Sequence, residues 1–188
     1  MIYTVFDVET TGLRIGTDCV LQFAYLTFDS IDNRVINADS FYLWDESYPW
    51  SEEAYKVHGI SKEFLRSLPK QEMKSKYGKM FQALSSAHLM TYNGNRYDIP
   101  FCDNFLKRYA VQPYAPASQT DVLVLAQHAY GKRFKLVNLV EHLGIPTDLI
   151  CSMQQEYFNS STGAHDATYD VMSTLLCYIS LRGAGFAV

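Results

Sequence analysis

The sequence contains few cysteines and no long apolar run. Four cysteines occur in 188 residues, and no two of them form a Cys-x-x-Cys pair, which argues against a structural zinc site. No apolar stretch approaches the ~18 residues of a membrane-spanning helix, and no basic leader precedes an apolar segment at the N-terminus. We therefore expect a cytoplasmic protein with reduced thiols and no membrane contact.

The sequence also has no excess of positive charge. Sixteen basic residues stand against twenty acidic ones, which gives a formal net charge of -4. Proteins that coat nucleic acids are usually basic, so the net charge argues against a general coating role. A hydrophobic content of 48% and a charged content of 19% are ordinary for a globular chain. The length predicts a single domain over residues 1–188.

The first third of the chain has the pattern of three β-strands. β-Branched and aromatic residues predict strands over 2–8, 19–28 and 35–43, and the turn-like segment 29–33 separates the last two. Connections this short favour antiparallel pairing.

The remaining two thirds alternate helices with short strands. Ser51 and Ser61 are predicted to cap helices, because acidic residues follow each of them. Strands first and strand–helix units later predict an α/β fold with a mixed sheet covered by helices. Further helices are predicted over 71–87, from Pro100 to about 110, over 122–130, over 135–143 and over 166–181, and a further strand over 88–92. Thr120 or Asp121 is the predicted cap of the helix over 122–130.

Two acidic residues alternate along the first predicted strand. Asp7 and Glu9 are two steps of about 3.3 Å apart, so their carboxylates face the same side. An acidic pair at the end of a buried strand is costly unless a positive group neutralises it. A metal ion is one candidate for that group, and a strand end that reaches solvent is the alternative.

Three later residues can join this pair. Asp98 follows the short strand, where it can either meet Asp7 and Glu9 or bind the N–H groups of its own helix. His165 follows a loop-like stretch and Asp170 lies inside the last helix. A histidine on a loop beside a fixed carboxylate suits a proton acceptor. A helix-start histidine and a surface aspartate are the alternative interpretation.

Four carboxylates and a histidine suit metal-dependent hydrolysis. Mg²⁺ and Mn²⁺ prefer carboxylate and water oxygens. Two such ions about 3.5–4 Å apart can activate a water and stabilise the leaving oxygen of a phosphodiester.

Three motifs occur in a fixed order, namely Phe6-Asp-Val-Glu-Thr-Thr-Gly-Leu13, Asn93-Gly-Asn-Arg-Tyr-Asp98 and His165-Asp-Ala-Thr-Tyr-Asp170. The set resembles the histidine-bearing DEDDh (DnaQ-like) branch of the DEDD 3′–5′ exonucleases, which belong to the ribonuclease H-like superfamily. The tyrosine-bearing branch would need tyrosine at position 166, where this chain has aspartate.

The resemblance implies a fold, a cofactor and a substrate. The expected fold is a five-stranded mixed sheet, three strands antiparallel and then two parallel, flanked by helices. The implied ligands of two Mg²⁺ or Mn²⁺ ions are Asp7, Glu9, Asp98 and Asp170, and His165 is the implied general base. The implied substrate is the 3′ end of single-stranded nucleic acid, with DNA favoured. A polymerase or another replication or repair protein is a further implied partner.

Four more residues match family positions near the substrate. Thr10 and Leu13 match contacts to the terminal nucleotide, although a tight turn and a core leucine are equally open roles. His58 matches a position near the site or serves as a helix C-cap. Asn93 matches a second-motif position that is histidine in many proofreading members, and Gln22 replaces a frequent glutamate of the second strand. These departures weaken assignment to the polymerase III proofreading subunit specifically.

Other functions on the same fold stay open. An exoribonuclease shares the chemistry, and so does a phosphodiesterase that acts on small nucleotides in a closed pocket. A non-catalytic nucleic-acid-binding or polymerase-associated module would not need the complete acid set.

Contacts to phosphates outside the site require lysine or arginine. Arg96, Lys107–Arg108 and Lys132–Lys135 are the candidates. A solvated helix face is the preferred interpretation for Lys107–Arg108, whereas Lys132–Lys135 lies in a loop before a helix and is better placed.

Overall fold

A five-stranded mixed sheet forms the centre of the computed structural model, which describes residues 1–69, 73–85, 88–109 and 113–186. The strands are β1 (Ile2–Thr10), β2 (Val20–Asp29), β3 (Arg34–Tyr42), β4 (His88–Thr91) and β5 (Ser118–Asp121). Their order in the sheet is β3-β2-β1-β4-β5. The pairs β1–β2 and β2–β3 are antiparallel, and β1–β4 and β4–β5 are parallel. The predicted fold class is confirmed.

Helices cover both faces of this sheet. Those in the described ranges are α1 (Glu52–His58), α2 (Lys62–Ser67), α3 (Met73–Leu84), α4 (Asp98–Arg108), α5 (Val122–Tyr130), α6 (Leu136–His142), α7 (Thr147–Phe158) and α8 (Ala167–Gly183). Helices α5 to α8 bury apolar residues with one face of the sheet, and α2, α3 and α4 do so with the other.

The alternation of β1 decides where its acidic residues emerge. Tyr3 and Val5 belong to the apolar core under α5 to α8, whereas Phe6 belongs to the opposite core. Because residues two apart share a face, Asp7 and Glu9 continue the Tyr3 side and lie beside α8. The predicted common face of these two carboxylates follows from this arrangement.

The predicted helix caps are confirmed. The Ser51 and Ser61 hydroxyls accept hydrogen bonds from Ala54 N and Phe64 N. Asp121 caps α5 by accepting from Leu123 N at 3.0 Å. Each cap satisfies a backbone donor that a first helical turn leaves without a partner.

Two helix predictions need correction. Helix α4 begins at Asp98, two residues before the predicted start at Pro100. Helix α7 is absent from the prediction, and no side chain caps its start, since Pro146 occupies that position. The predicted helix 71–87 is confirmed over α3, but the helix ends at Leu84 and Ser85 already lies in a turn. Residues 71, 72, 86 and 87 lie outside the described residues, as does the predicted helix end at 110. None of the helices in the described part of the chain is both long and apolar enough to cross a membrane.

Candidate active site

Three carboxylates converge where β1 meets α8. One oxygen each of Asp7, Glu9 and Asp170 lies within 4.8 Å of the other two. Asp7 and Glu9 come from one face of β1, and Asp170 comes from the first turn of α8. Oxygen ligands of Mg²⁺ lie about 2.0–2.1 Å from the ion, so opposite ligands are about 4 Å apart. The three carboxylates therefore have a spacing that suits a shared divalent ion.

Asp98 is adjacent to this group but lies outside it. It is buried at the start of α4, and its Oδ1 accepts a hydrogen bond from Val8 N at 3.2 Å. The hydrogen-bonded ladder between β1 and β4 ends at the Val5–Met90 pair. Beyond that point the Asp98 carboxylate accepts the hydrogen bond from the backbone of β1 that no residue of β4 accepts. Its negative charge is close enough to raise the pKa of Asp7. The structure thus brings all four predicted acids to one end of β1.

Burial and mutual repulsion make this cluster costly when it is fully ionised. Burial is the main cause that raises the pKa of Asp7 and of Glu9 well above the usual range, and the neighbouring carboxylates add to it. Burial also raises the pKa values of Asp98 and Asp170 to about 7.

The four carboxylates lack a paired cation among the residues that the structure describes. None of the ion pairs between described residues involves any of the four carboxylates. Hard oxygen donors without a protein counter-charge match the coordination that Mg²⁺ and Mn²⁺ prefer. The donor set therefore fits the divalent ions that the sequence predicts.

Asp166 adds a fifth negative charge that the sequence analysis did not assign to the site. It is the N-cap of α8, and its Oδ1 accepts from Thr168 N at 2.9 Å. Its charge contributes to the raised pKa values of Asp7, Glu9 and Asp170. Its position one helical turn before Asp170 is the sequence signal that could have identified it.

Gln22 attaches this helix start to the sheet. It is fully buried on β2 opposite Glu9, its Nε2 donates to Asp166 Oδ2 at 3.4 Å, and its Oε1 accepts from Ala167 N at 3.3 Å. Glutamine at this position makes both contacts without bringing another negative charge to the cluster.

His165 lies on the loop before α8, as predicted. Its side chain is exposed, and its backbone is left-handed, with a φ of 67°. The His165 backbone N–H lowers the pKa of Asp170, which partly offsets the rise that burial causes. The same loop is held by Gln154, which is fully buried and donates to Thr162 Oγ1 at 2.6 Å and to Thr168 Oγ1 at 2.7 Å. His165 and Asp170 line one groove, about 770 Å³ in volume, between α6 and α8.

A second groove of about 720 Å³ lies on the Glu9 side of the cluster. Thr10 and Leu13 both line it, and they come from the turn after β1. The Thr10 hydroxyl donates to the Gly12 carbonyl at 2.7 Å, so Thr10 does stabilise the turn. The Leu13 side chain is 77% exposed, which excludes a core role for it.

The turn itself is held by a close contact. A Cβ at Gly12 would clash with the buried Asp18 carboxylate, so a larger residue there would displace that side chain. The same Asp18 carboxylate accepts from Arg14 N at 2.7 Å. Leu13 is therefore presented to solvent by a fixed turn.

The two remaining predicted substrate residues make local contacts. His58 is the last residue of α1 and lines the Glu9-side groove, and Gly59 is the C-cap of that helix. The His58 Nδ1 accepts a hydrogen bond from Ile60 N at 3.0 Å. Burial lowers the pKa of His58, and the nearby Thr10 carbonyl opposes that effect. Asn93 follows β4, and its N–H donates to the buried Asp121 carboxylate at 2.8 Å.

The basic candidates differ in their surroundings. Lys107 and Arg108 are both exposed, as the preferred solvated interpretation expects, and the Arg108 guanidinium also donates to the Gly16 carbonyl at 2.8 Å and to Cys19 Sγ. Arg96 lies over the Tyr97 ring at 5.5 Å from its centroid. Lys132, Arg133 and Lys135 are exposed.

Comparison with known proteins identifies the family. The exonuclease family model RNase_T matches residues 4–178. The PolC-type DNA polymerase III of Pediococcus pentosaceus is 25% identical over 97% of this chain and 11% of its own length. The DNA polymerase III epsilon subunits of Pasteurella multocida and Rickettsia prowazekii are each 27% identical over 95% of this chain, covering 67% and 73% of those proteins.

Solved structures share the fold. Exonuclease I superposes with a TM-score of 0.77 at 23% identity, over 97% of this chain and 41% of that protein. E. coli exonuclease I in complex with a dA16 oligonucleotide gives a TM-score of 0.73 at 22% identity, over 97% of this chain and 41% of that one. The chain thus spans less than half the length of these structures.

Proposed function

The chain belongs to the RNase_T exonuclease family, and from this membership we propose that it is a metal-dependent 3′–5′ exonuclease acting on single-stranded nucleic acid, with DNA favoured. The observation that carries the proposal is the convergence of Asp7, Glu9 and Asp170 oxygens within 4.8 Å, beside a groove that His165 also lines. A binding module would have no use for a half-buried acid cluster that destabilises its own fold.

Two Mg²⁺ or Mn²⁺ ions are the proposed cofactors. Asp7, Glu9 and Asp170 would hold them together with Asp98, whose charge already acts on Asp7. Bound divalent ions supply acidification of a water and stabilisation of the leaving oxygen in phosphodiester hydrolysis.

His165 is the proposed general base. Its exposed position on the loop leaves the imidazole free to approach a water at the carboxylates, while its backbone N–H stays bound at Asp170. Neutral imidazole can accept a proton near pH 7, which is the requirement for a general base at physiological pH.

The groove on the Glu9 side is the proposed site of the 3′-terminal nucleotide. Leu13 offers an exposed apolar surface to a base, and Thr10 and His58 lie in the same groove. The Asn93 backbone is fixed by Asp121 close to the motif that ends in Asp98, so Asn93 completes the proposed substrate-binding set.

The biological partners are proposals of the same kind. The epsilon subunits and the PolC protein carry polymerase names, which supports association with a polymerase or another replication or repair protein. The exonuclease I complex contains a DNA oligonucleotide, which supports the preference for DNA.

Digestion of end-labelled strands tests the proposal. A 5′-labelled linear single strand should be shortened stepwise in Mg²⁺ or Mn²⁺ and stay intact with chelator, and Asp7→Asn should abolish the reaction. A circular strand should stay intact, because it has no 3′ end. Circular DNA cut as fast as linear DNA would show an endonuclease instead.

The same assay separates the alternatives. Matched RNA oligomers distinguish an exoribonuclease. Cleavage of dinucleotides alone would indicate a small-nucleotide phosphodiesterase, and binding without cleavage in either metal would indicate a non-catalytic module.

A further inference from the structure

Three cations lie together in the segment Lys132–Lys135, which we name the basic loop. Lys132, Arg133 and Lys135 are all exposed, and none of the ion pairs formed among the described residues involves them. Unpaired cations at this density in an acidic protein are available to a negatively charged ligand.

The basic loop is attached to the segment that leads to the site. The Tyr92 hydroxyl donates to the Phe134 carbonyl at 2.9 Å, and the Arg133 guanidinium donates to Asn93 Oδ1 at 3.2 Å. The Lys132 ammonium lies 4.6 Å from the centroid of the Phe134 ring. These contacts hold the loop beside the β4–α4 connection, which ends in Asp98.

The basic loop and Asp170 line two neighbouring grooves that have two lining residues in common. The groove that His165 and Asp170 line also contains Lys135 and Glu141. A neighbouring concavity of about 560 Å³ is lined by the whole basic loop and shares Lys135 and Glu141 with that groove. Among the described residues that line this concavity, Glu141 is the one carboxylate, against three cations.

The groove on the other side of the acids has the opposite character. Glu52, Glu53 and Asp18 line it, and its cation Arg14 is paired with Asp18 at 3.1 Å. A sugar-phosphate backbone would be repelled on that side and attracted on the side of the basic loop.

We propose that the two neighbouring grooves, from His165 past Lys135 to the basic loop, bind the phosphates of the single strand 5′ to the cleaved bond. This inference rests on the proposed exonuclease function. It gives the strand a direction, with its 3′-terminal nucleotide in the Leu13 groove and its upstream backbone over α6. Phosphate contacts of this kind add affinity for long strands and no base preference.

A double variant tests this path. Lys132→Gln/Lys135→Gln removes two cations and leaves Arg133 on Asn93. Two substrates are compared, a linear single-stranded oligonucleotide and the p-nitrophenyl ester of thymidine 5′-monophosphate, which has no upstream strand. The matched control is Lys79→Gln/Lys107→Gln, which makes the same charge change at exposed positions on α3 and at the far end of α4.

The proposal predicts that the two substrates respond differently. For the oligonucleotide, the double variant should raise KM by roughly 2- to 30-fold at about 0.1 M salt. The slope of log Kd against log salt concentration should fall by about 1.4, because each phosphate contact to a single strand contributes about 0.7. Hydrolysis of the ester should stay at the parental rate, and the control variant should match the parent on both substrates.

Three results separate the failure modes. An oligonucleotide KM and salt slope equal to the parent's would overturn the proposed path. Equal losses on both substrates would also overturn it, because they would place the lysines at the reacting centre. A parent that hydrolyses neither substrate would instead refute the exonuclease function.

Discussion

Replacing Asp170 by asparagine should stabilise the metal-free protein. Burial raises the pKa of Asp170 from 3.8 to about 7, so ionising it at about pH 8 opposes folding. Each pKa unit corresponds to ~1.4 kcal/mol, and the pKa of Asp170 rises by about three units. The upper limit of the effect on the free energy of unfolding is therefore about 4 kcal/mol. Asparagine keeps the shape and an oxygen for the His165 N–H but carries no charge.

The expected gain is large enough to measure by thermal unfolding. In a chain of this length 1 kcal/mol shifts Tm by about 2–4 °C, so Asp170→Asn should raise Tm in chelator by at most roughly 8–16 °C. In Mn²⁺ the difference in Tm between the variant and the parent should narrow. An ion at 100 times its Kd stabilises the parent by ~2.7 kcal/mol, and the variant should lose most of that gain because it lacks one ligand.

The assay is thermal unfolding monitored by circular dichroism, with chelator and with millimolar Mn²⁺. Glu156→Gln is the matched control, since it removes an exposed carboxylate on α7 and should change neither Tm. An Asp170→Asn protein that melts below the parent in chelator would refute the repulsion argument. A variant with the full Mn²⁺ gain would show that Asp170 is not a ligand.

Three further predictions follow from the same site. In chelator the parent should lose stability as pH rises from about 4 through about 7, because the raised pKa values of Asp98 and Asp170 favour folding only while these groups hold protons. Saturating Mn²⁺ should remove that loss in thermal melts. Equal pH profiles with and without metal would contradict this prediction. His165→Ala should keep the Mn²⁺ gain in Tm but lower kcat by about 10²–10⁴-fold, and near-parental turnover would mean that another group is the base. Leu13→Ala should leave Tm within about 2 °C of the parent because the side chain is exposed, yet raise the oligonucleotide KM, and an unchanged KM would remove Leu13 from the substrate site.

Local patterns were sufficient to predict much of the site. The period of two along β1 places Asp7 and Glu9 on one face. Side-chain capping depends on neighbours two or three residues away, so Ser51, Ser61 and Asp121 could be read directly from the sequence.

Contacts between distant segments could not be predicted in this way. The Val8–Asp98 hydrogen bond depends on where the β1–β4 ladder ends, and its partners are 90 residues apart. The Gln22–Asp166 contact joins residues 144 apart, and it explains how a glutamine departure from the family pattern is accommodated. No local pattern encodes either pairing.

Exposure is the other property that sequence alone leaves open. Leu13 can be a core residue or a surface contact on its sequence pattern, and its 77% exposure decides between the two. Helix α7 was missed for a different reason. No side chain caps its start, so the local signal that marks the beginning of a helix is lacking there.

Release of the 3′-terminal nucleotide tests the central claim most directly. A linear single strand labelled on its last nucleotide is incubated with the parent and with Asp7→Asn, each in Mn²⁺ and in chelator. We expect the parent in Mn²⁺ to free a labelled mononucleotide before shorter strands accumulate, and the other three reactions to free none. A parent that gains thermal stability from Mn²⁺ yet frees no mononucleotide from DNA or RNA would contradict the central claim.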